Sequence, residues 1–341
     1  MRKFIVLLIL FLAVLFVFLS FSELQSIAET LQKSNWIFLT FAVLFQCLWL
    51  YNAATTYGSL YRLVELEETK RQLFLMTTAA NFVNVIAPSA GIGGMAVFLD
   101  VARRRGQPTG RVTVAGVLFA LYDYAAFLCV LSLGLTVLFR RNHLTASELT
   151  ASAILLVIAF SVASLLYLGY KSADQLGKVL AWLSRLVNWI ARPFIHRDYL
   201  KVENAHFFAQ EVAEGVSLMR GKRKELLWPF LFALNNKALL ICVLAFTFLA
   251  LGTPFSVGTL VGGFSIGYLF LIVSPTPAGV GVVESILPVA LNSLRVPWAA
   301  AVLITLVYRG ITFWFPLAVG GIAFRLLERQ PKPLPALDKT E

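Results

Sequence analysis

The chain has 341 residues, of which 59% are apolar and only 14% are charged, and its mean hydropathy is +0.79. A water-soluble fold of this length cannot hide so much apolar surface, so the composition excludes a soluble enzyme, a disordered chain and a secreted disulfide scaffold. The composition predicts an all-α polytopic membrane protein. We attribute its formal charge of +11 to Lys and Arg in cytoplasmic loops beside anionic headgroups, so the charge does not indicate a nucleic-acid partner.

The chain begins with two predicted membrane spans. Residues 4–22 form an uncharged run behind a basic start, and this run is longer than the apolar region of about 7–15 residues in a secretory signal. We therefore expect a retained first span with a cytoplasmic N-terminus. Residues 35–57 form the second predicted span.

The next apolar segment, residues 73–99, is interrupted by Pro and Gly residues at 88–94. Both of its flanks are rich in Lys and Arg, so both are predicted to face the cytoplasm. A segment that leaves and returns on one side is re-entrant. Irregular backbone at membrane depth is tolerated only against protein or a water-filled cavity.

Two further spans are predicted at 112–139 and 150–170, and a polar, basic section follows at 171–225. Apolar residues at helical spacing in that section predict an amphipathic cytoplasmic helix at the membrane interface. A solvated linker helix explains the same pattern equally well.

The C-terminal half contains predicted spans near 227–251 and 255–273, a second broken element at 274–294 and a last span at 298–324. The tail, 328–341, is Pro-rich and charged, and we expect it to be disordered and cytoplasmic. Seven full spans plus a crossing by the second broken element give eight crossings, which places both termini on one side.

The two broken elements look like copies of one design. Pro88 precedes a Gly-x-Gly at 91–93, and Pro275 and Pro277 precede a Gly-x-Gly at 279–281, an offset of 188 residues. Each is followed by a short helix, a Pro and a span. Repeated halves with broken segments in matching positions indicate a transporter binding site at the repeat interface. Chance similarity between Gly- and Ala-rich membrane segments is the alternative.

Proline and glycine together can end one half-helix and begin another inside the membrane. The new N-terminus directs unpaired N–H groups and a partial positive charge into a cavity, where a phosphate or carboxylate could bind. The glycines placed to do this are Gly91, Gly93, Gly94, Gly279 and Gly281. Close helix packing through small residues would explain the same glycines.

Ionisable residues lie within the predicted hydrophobic elements. Charge at this depth costs about 2.5–3.5 kcal/mol on insertion scales, so it normally faces a partner or a cavity. Asp123 and Arg309 occupy comparable places in the two repeats, and we expect them to pair or to line one polar cavity; a pair that only fixes helix register is the alternative. Glu284 could bind a cation or an amine headgroup, could titrate, or could simply be a charge at a helix N-terminus that the helix dipole satisfies. Lys237 is explained most simply by snorkelling to the interface.

These motifs resemble those of a known family. Residues 274–284, followed by Val307-Tyr308-Arg309, together with Asn81, Asn84 and the first Gly-rich break, are similar to the signatures of the lysylphosphatidylglycerol synthase transmembrane, or flippase-like, family. The resemblance covers roughly residues 1–327 as one transmembrane domain. Met95 stands where the family commonly has Glu, and Ala278 replaces a usual Gly.

The resemblance implies translocation of a lipid or a lipid-linked envelope precursor in a bacterial-type inner membrane. The aminoacyl-transferase domain of the family's best-understood members is not expected in this chain, so no enzymatic activity and no cofactor are predicted. Two alternatives stay open. One is a non-catalytic partner of an envelope-synthesis enzyme that docks through 171–225, and the other is a membrane transferase that uses Asp123 or Glu284 as base or metal ligand.

The residues predicted to bind the headgroup, anionic or zwitterionic, are drawn from both broken elements and from the spans that follow them. They are Asn81, Asn84, Pro88, Gly91, Gly93, Gly94, Asp123, Pro275, Pro277, Gly279, Gly281, Glu284, Tyr308 and Arg309. The three histidines have no metal-ligand spacing and the three cysteines lie in apolar runs, so no metal site is predicted.

Overall fold

The computed structural model describes residues 34–86, 92–140, 146–191, 203–218, 222, 224–274 and 276–330. The predicted first span, the predicted site residues Pro88, Gly91 and Pro275, and residues 331–341 of the tail lie outside them.

The described residues are helical and contain no β-strand. The helices are α1 (Trp36–Leu63), α2 (Lys70–Ile86), α3 (Ile92–Arg104), α4 (Thr109–Arg140), α5 (Ala146–Lys171), α6 (Ala173–Ala191), α7 (Glu203–Ser217), α8 (Leu227–Ala250), α9 (Val257–Val273), α10 (Val282–Ser293), α11 (Trp298–Arg309) and α12 (Phe315–Glu328). A π-helical turn, Gly310–Trp314, joins α11 to α12.

Five of the described helical stretches are long and apolar enough to cross a membrane: α1, α4, α5, α8 and the continuous α11–α12 unit. The shortest, α8, has 24 residues, or about 36 Å of helix, which exceeds the ~30 Å hydrocarbon core. The prediction of an all-α polytopic membrane protein is confirmed.

Helices α2 and α3 pack together as the first hairpin. The two ends of this hairpin meet at its base, where Arg105 forms an ion pair with Glu68 at 2.6 Å and the Gln107 side chain donates a hydrogen bond to the carbonyl of Glu67. Helix α3 has 13 residues, or about 20 Å, which is too short to span the hydrocarbon core. The predicted re-entrant course of residues 73–99 is therefore confirmed.

Helices α9 and α10 form the second hairpin. Gly262 of α9 faces Leu294, and Gly267 faces Leu287, so the residue numbers converge as they do between antiparallel helices. The glycines favour this close approach, because a Cβ would make a tight contact 3.1 Å from Leu294 or 3.2 Å from Leu287.

The prediction that 255–273 is a full span and that 274–294 crosses separately is therefore wrong. The 12 residues of α10 extend only about 18 Å, and the chain returns to the face from which α9 started. The described chain accounts for five crossings, so the predicted first span would make six instead of eight. Counted with that predicted span, the number stays even, as the prediction of both termini on one side requires.

The two hairpins enter the bundle from opposite faces. At the basic face, which carries Lys70, Arg104 and Arg325, the Gln72 and Gln330 side chains exchange hydrogen bonds at the base of the first hairpin. At the opposite face, the N–H of Asn35 donates to the carbonyl of Ala250, seven residues before α9 begins.

The tips of the hairpins meet inside the bundle, since α2 contacts the turn between α9 and α10. Helices α1 and α8 pack side by side, α2 packs on α12, and α9 packs on α4, so each half of the chain contacts the other in matching ways. The predicted repeat is present as an inverted pair, an arrangement that places broken helices from both halves at one interface.

The basic section between α5 and α8 folds onto the basic face. Helices α6 and α7 pack on each other, and α7 packs on the start of α4, where Arg111 pairs with Glu214. Val212 and Val216 of α7 are buried. The pattern that predicted an amphipathic helix lies at residues 182–190 of α6, where most side chains are outside the described ones, so the choice between an interfacial and a solvated helix stays a prediction.

The topology predicts which hairpin ends share a membrane face. Single cysteines at Lys70, Arg103, Val257 and Pro297, all exposed, are introduced after the native cysteines are replaced. An impermeant maleimide applied to sealed vesicles should label the first two positions from one side and the last two from the other. Labelling of Val257→Cys and Pro297→Cys from different sides would contradict the second hairpin.

Candidate functional site

Four ionisable side chains lie deep in the bundle, about 13 Å or more along their helices from the helix ends at the membrane faces. They are Asp123 on α4, Lys237 on α8, Glu284 on α10 and Arg309 on α11. Because charge at this depth is costly without a partner, their contacts determine what the site can do.

Lys237 and Asp123 form the first buried ion pair. The Lys237 Nζ lies 2.6 Å from Asp123 Oδ1 and donates to the Tyr268 hydroxyl at 2.5 Å, while that hydroxyl donates to Asp123 Oδ2 at 3.1 Å. The Lys237 side chain is 1% exposed and the Asp123 side chain 19% exposed. The triad ties α8, α4 and α9 together, so the prediction that Lys237 snorkels to the interface is wrong.

Arg309 and Glu284 form the second ion pair, at the tip of the second hairpin. The Arg309 Nε lies 2.6 Å from Glu284 Oε1, and Nη2 donates to the carbonyl of Ala278 at 3.0 Å. The guanidinium also stacks on the Phe313 ring, 4.8 Å from its centroid. The other Glu284 oxygen accepts the N–H of Gly281 at 2.8 Å. One carboxylate thus caps α10 and fastens the hairpin tip to α11.

The predicted pairing of Asp123 with Arg309 is wrong, since each has another partner. Chain reversal after α9 brings Glu284 back toward α11, and the packing of α8 on α4 brings Lys237 to Asp123. Neither approach could be read from the spacing along the chain. Glu284 does lie in the first turn of α10, as the alternative of a charge at a helix N-terminus requires, and it also contacts Arg309.

The turn of the second hairpin depends on backbone conformations that favour glycine. Gly279 and Gly281 have φ of 69° and 81°, and Ala278 lies between Pro277 and Gly279 with φ of 50°. A non-glycine residue in this region is strained. The turn presents the Ala278 carbonyl to Arg309.

The first hairpin closes by a neutral contact. Asn84, near the end of α2, accepts the N–H of Gly94, in the first turn of α3, at 2.6 Å. A Cβ on Gly94 would lie 2.6 Å from Asn84 Nδ2, so only glycine fits. Gly93 is buried beside it, and the Nδ2 of Asn81 is buried without a hydrogen-bond partner in the described part of the chain. Met95, in the place of the family's Glu, packs over Gly116 of α4.

A polar seam also runs between the two halves. Asn52 of α1 donates to Asn236 Oδ1 at 2.7 Å and to the carbonyl of Phe232 at 2.8 Å, and Asn235 donates back to Asn52 Oδ1 at 3.0 Å. These residues of α8 directly precede Lys237. The seam therefore continues the polar contacts of the first ion pair along the α1–α8 interface.

The structure brings most of the described predicted residues to the hairpin tips and the ion pairs, with Tyr308 buried beside Arg309. Lys237 and Tyr268 were not among the predicted binding residues, and no role was predicted for the Ala278 carbonyl. The signal that could have identified Lys237 was the run of three polar residues, Asn235, Asn236 and Lys237, within the otherwise apolar helix α8. Among the residues described, no group of three His, Cys, Asp or Glu side chains could hold a metal.

Removal of one partner of the first ion pair should destabilise the fold strongly. Asp123→Asn leaves Lys237 buried without a counter-charge, which should lower the free energy of unfolding by about 3–5 kcal/mol. Thermal unfolding in detergent measures this, and Asp123→Asn/Lys237→Met should recover much of the loss. Asp174→Asn, in the exposed pair with Lys178, is the control and should cost at most about 1 kcal/mol. Equal stability of the two single variants would contradict the buried pair.

Gly94→Ala should loosen the first hairpin. The new methyl group would displace the Asn84 side chain, so we expect a loss of about 1–3 kcal/mol in thermal unfolding experiments. Gly310→Ala is the matched control, because a Cβ there meets nothing within 4 Å. A Gly94→Ala protein as stable as the control would show that the Asn84 contact does not close the hairpin.

Comparison with known proteins agrees with this architecture. Residues 4–320 match the family model described as the lysylphosphatidylglycerol synthase TM region. A UPF0104 membrane protein of Methanothermobacter thermautotrophicus (strain Delta H) is 25% identical over 304 residues, which cover 87% of each chain. No solved structure matches. With most of its length matched by the family model, the chain belongs to the lysylphosphatidylglycerol synthase transmembrane-region family.

Proposed function

We propose that the protein is a lipid translocase, which moves the headgroup of a phospholipid or a lipid-linked precursor between leaflets while the acyl chains stay in the bilayer. The observation that carries this proposal is the meeting of two oppositely oriented, broken hairpins beside two ion pairs near the bilayer centre. No chemical step on the lipid and no cofactor are included in the proposal.

The exposure of the carboxylates supports a polar path at this depth. Glu284 is 25% exposed and Asp123 19% exposed, although both lie near the middle of the membrane. Contact of a charged group with hydrocarbon would cost about 2.5–3.5 kcal/mol, whereas contact with a wet path costs little. Residues 119–125 of α4 are all part-exposed, which is consistent with a crevice around Asp123.

The two ion pairs also limit how a headgroup can bind. Each cation already has a carboxylate partner, and the helix N-termini at the tips are capped by Asn84 and Glu284. The Arg309 Nη1 forms no hydrogen bond with a described residue, so it can donate to a phosphate before Nε leaves Glu284. Headgroup binding is therefore an exchange of partners at a site of zero net charge.

The excess of Lys and Arg on the basic face supports an orientation with that face in the cytoplasm. We propose a multi-pass protein of a bacterial-type plasma membrane on this basis. A synthase that makes the same lipid is the natural partner to supply it at that face.

Reconstitution in liposomes tests the function. Amine-bearing lipid is placed in the inner leaflet, and its appearance outside is followed with an impermeant amine reagent. The wild-type protein should accelerate exchange. Glu284→Gln and Arg309→Gln should each slow it at least about tenfold, because an unpaired buried charge costs more than the ~1.4 kcal/mol of a tenfold change.

Lys178→Gln, an exposed change outside the bundle centre, is the control and should exchange lipid at the wild-type rate. Each variant is compared by thermal unfolding, so that slow exchange is not confused with loss of fold. Wild-type protein without exchange activity contradicts the translocase. A new lipid product would indicate a transferase, and a stably co-purifying synthase without exchange would indicate a partner protein.

A further inference from the structure

A groove runs between the first hairpin and α12, away from the ion pairs. Its volume is about 280 Å³, and its walls come from Val83 of α2, from α3 and from the last turns of α12. This is just below the range of small-molecule sites, about 300–1,000 Å³. The groove can therefore hold part of a lipid, such as its headgroup, and not a whole lipid.

The groove connects the basic face with the hairpin tip. On α3 it begins at Arg104, in the last turn, and reaches Gly93, in the first turn, about 16 Å deeper. The deep part is lined by apolar side chains that include Val97 and Phe324. Lipid chains in this part would lie against apolar walls, and the path ends where the first hairpin closes.

The polar end of the groove carries charges of both signs. Arg104 pairs with Asp100 at 2.6 Å, and their side chains are 27% and 56% exposed. Glu328 lines the same end and forms no ion pair with another described residue. The groove-lining charges thus consist of one cation and two carboxylates, and Glu328 is the carboxylate that has no ion-pair partner among the described residues.

We propose that this groove is the basic-face entrance for a phospholipid whose head carries both a phosphate and a primary amine. Arg104 binds the phosphate, and Glu328 with Asp100 binds the ammonium group. This inference rests on the proposed function, because it treats lipid binding in the groove as a step toward translocation.

The charge balance decides between lipid classes. Among the residues that line the groove, a purely anionic head would meet two carboxylates and one guanidinium, which already has a partner. A zwitterionic head supplies a counter-charge for Glu328 and an acceptor for Arg104, so every charge gains a partner. The same head is net neutral, as is the site at the hairpin tips.

Photo-crosslinking of the full chain in nanodiscs tests the groove without measuring transport. Two probes share one photoreactive acyl chain, and their heads are phosphatidylethanolamine and phosphatidylglycerol. Peptides from α3 are compared with the α4 peptide that carries the exposed Leu133, which reports ordinary lipid contact. The phosphatidylethanolamine probe should label α3 about tenfold more than the phosphatidylglycerol probe, relative to that reference.

Ala96→Trp fills the groove from an exposed position on its wall, and Glu328→Gln removes the unpaired carboxylate. The first should abolish α3 labelling, and the second should abolish the preference between probes. Leu133→Trp, outside the groove, should change neither.

Equal labelling by both probes, or α3 labelling no higher than the reference, overturns the inference. Labelling that appears only after residues 331–341 are deleted would assign the groove to the chain's own tail and would also overturn it. These results are independent of the liposome assay. If the groove is labelled but the protein does not exchange lipid between leaflets, the proposed lipid site stands and the proposed translocase function is wrong.

Discussion

A charge near the bilayer centre must have a counter-charge or water, and this constraint organises the whole bundle. Lys237, the most deeply buried of the four charges, connects α8 to α4 and α9 through Asp123 and Tyr268. Arg309 connects α11 to the tip of the second hairpin through Glu284 and the Ala278 carbonyl. The second hairpin is therefore fastened to the bundle by one ion pair at its tip and by the Tyr268 hydroxyl of the other pair along α9. These contacts hold the second broken segment at a depth where irregular backbone would otherwise be too costly.

The two hairpins have the same architecture but different chemistry. The first closes through the neutral Asn84–Gly94 contact and packs tightly on α12, where Gly320 leaves no room for a Cβ against Thr78 and Phe82. The second closes through Glu284, whose exchangeable ion pair reaches across to another helix. In the inverted repeat, the first hairpin is therefore closed by a fixed, neutral contact. The main contact of the second hairpin is an ion pair, for which a charged ligand can compete. This difference supports the proposed exchange of partners during headgroup passage.

The fold class could be predicted from composition and hydropathy, because the bilayer requires long apolar helices. The broken segment at 73–99 was also predictable as re-entrant, since Lys and Arg flank it on both sides. The second hairpin could not be predicted as re-entrant, because no Lys- or Arg-rich flanks mark its two ends. In sequence, a Pro–Gly turn between two half-helices also looks the same as a kink within one membrane-crossing helix. Asp123, Glu284 and Arg309 could be found as charges in apolar helices. Their partners depend on which helices pack together, and that information is absent from the spacing along one chain.

The central claim is that a water-accessible path exists where the hairpin tips meet. Spin-label accessibility tests it most directly, with one label at Ser285→Cys, next to Glu284, and one at the native Cys129, which is exposed on α4 at a similar depth. The account predicts that the label at 285 is relaxed by a polar nickel chelate, while the label at 129 is relaxed mainly by oxygen, as in hydrocarbon. Oxygen-dominated relaxation at both positions would show that hydrocarbon surrounds the tip of the second hairpin and would contradict the account.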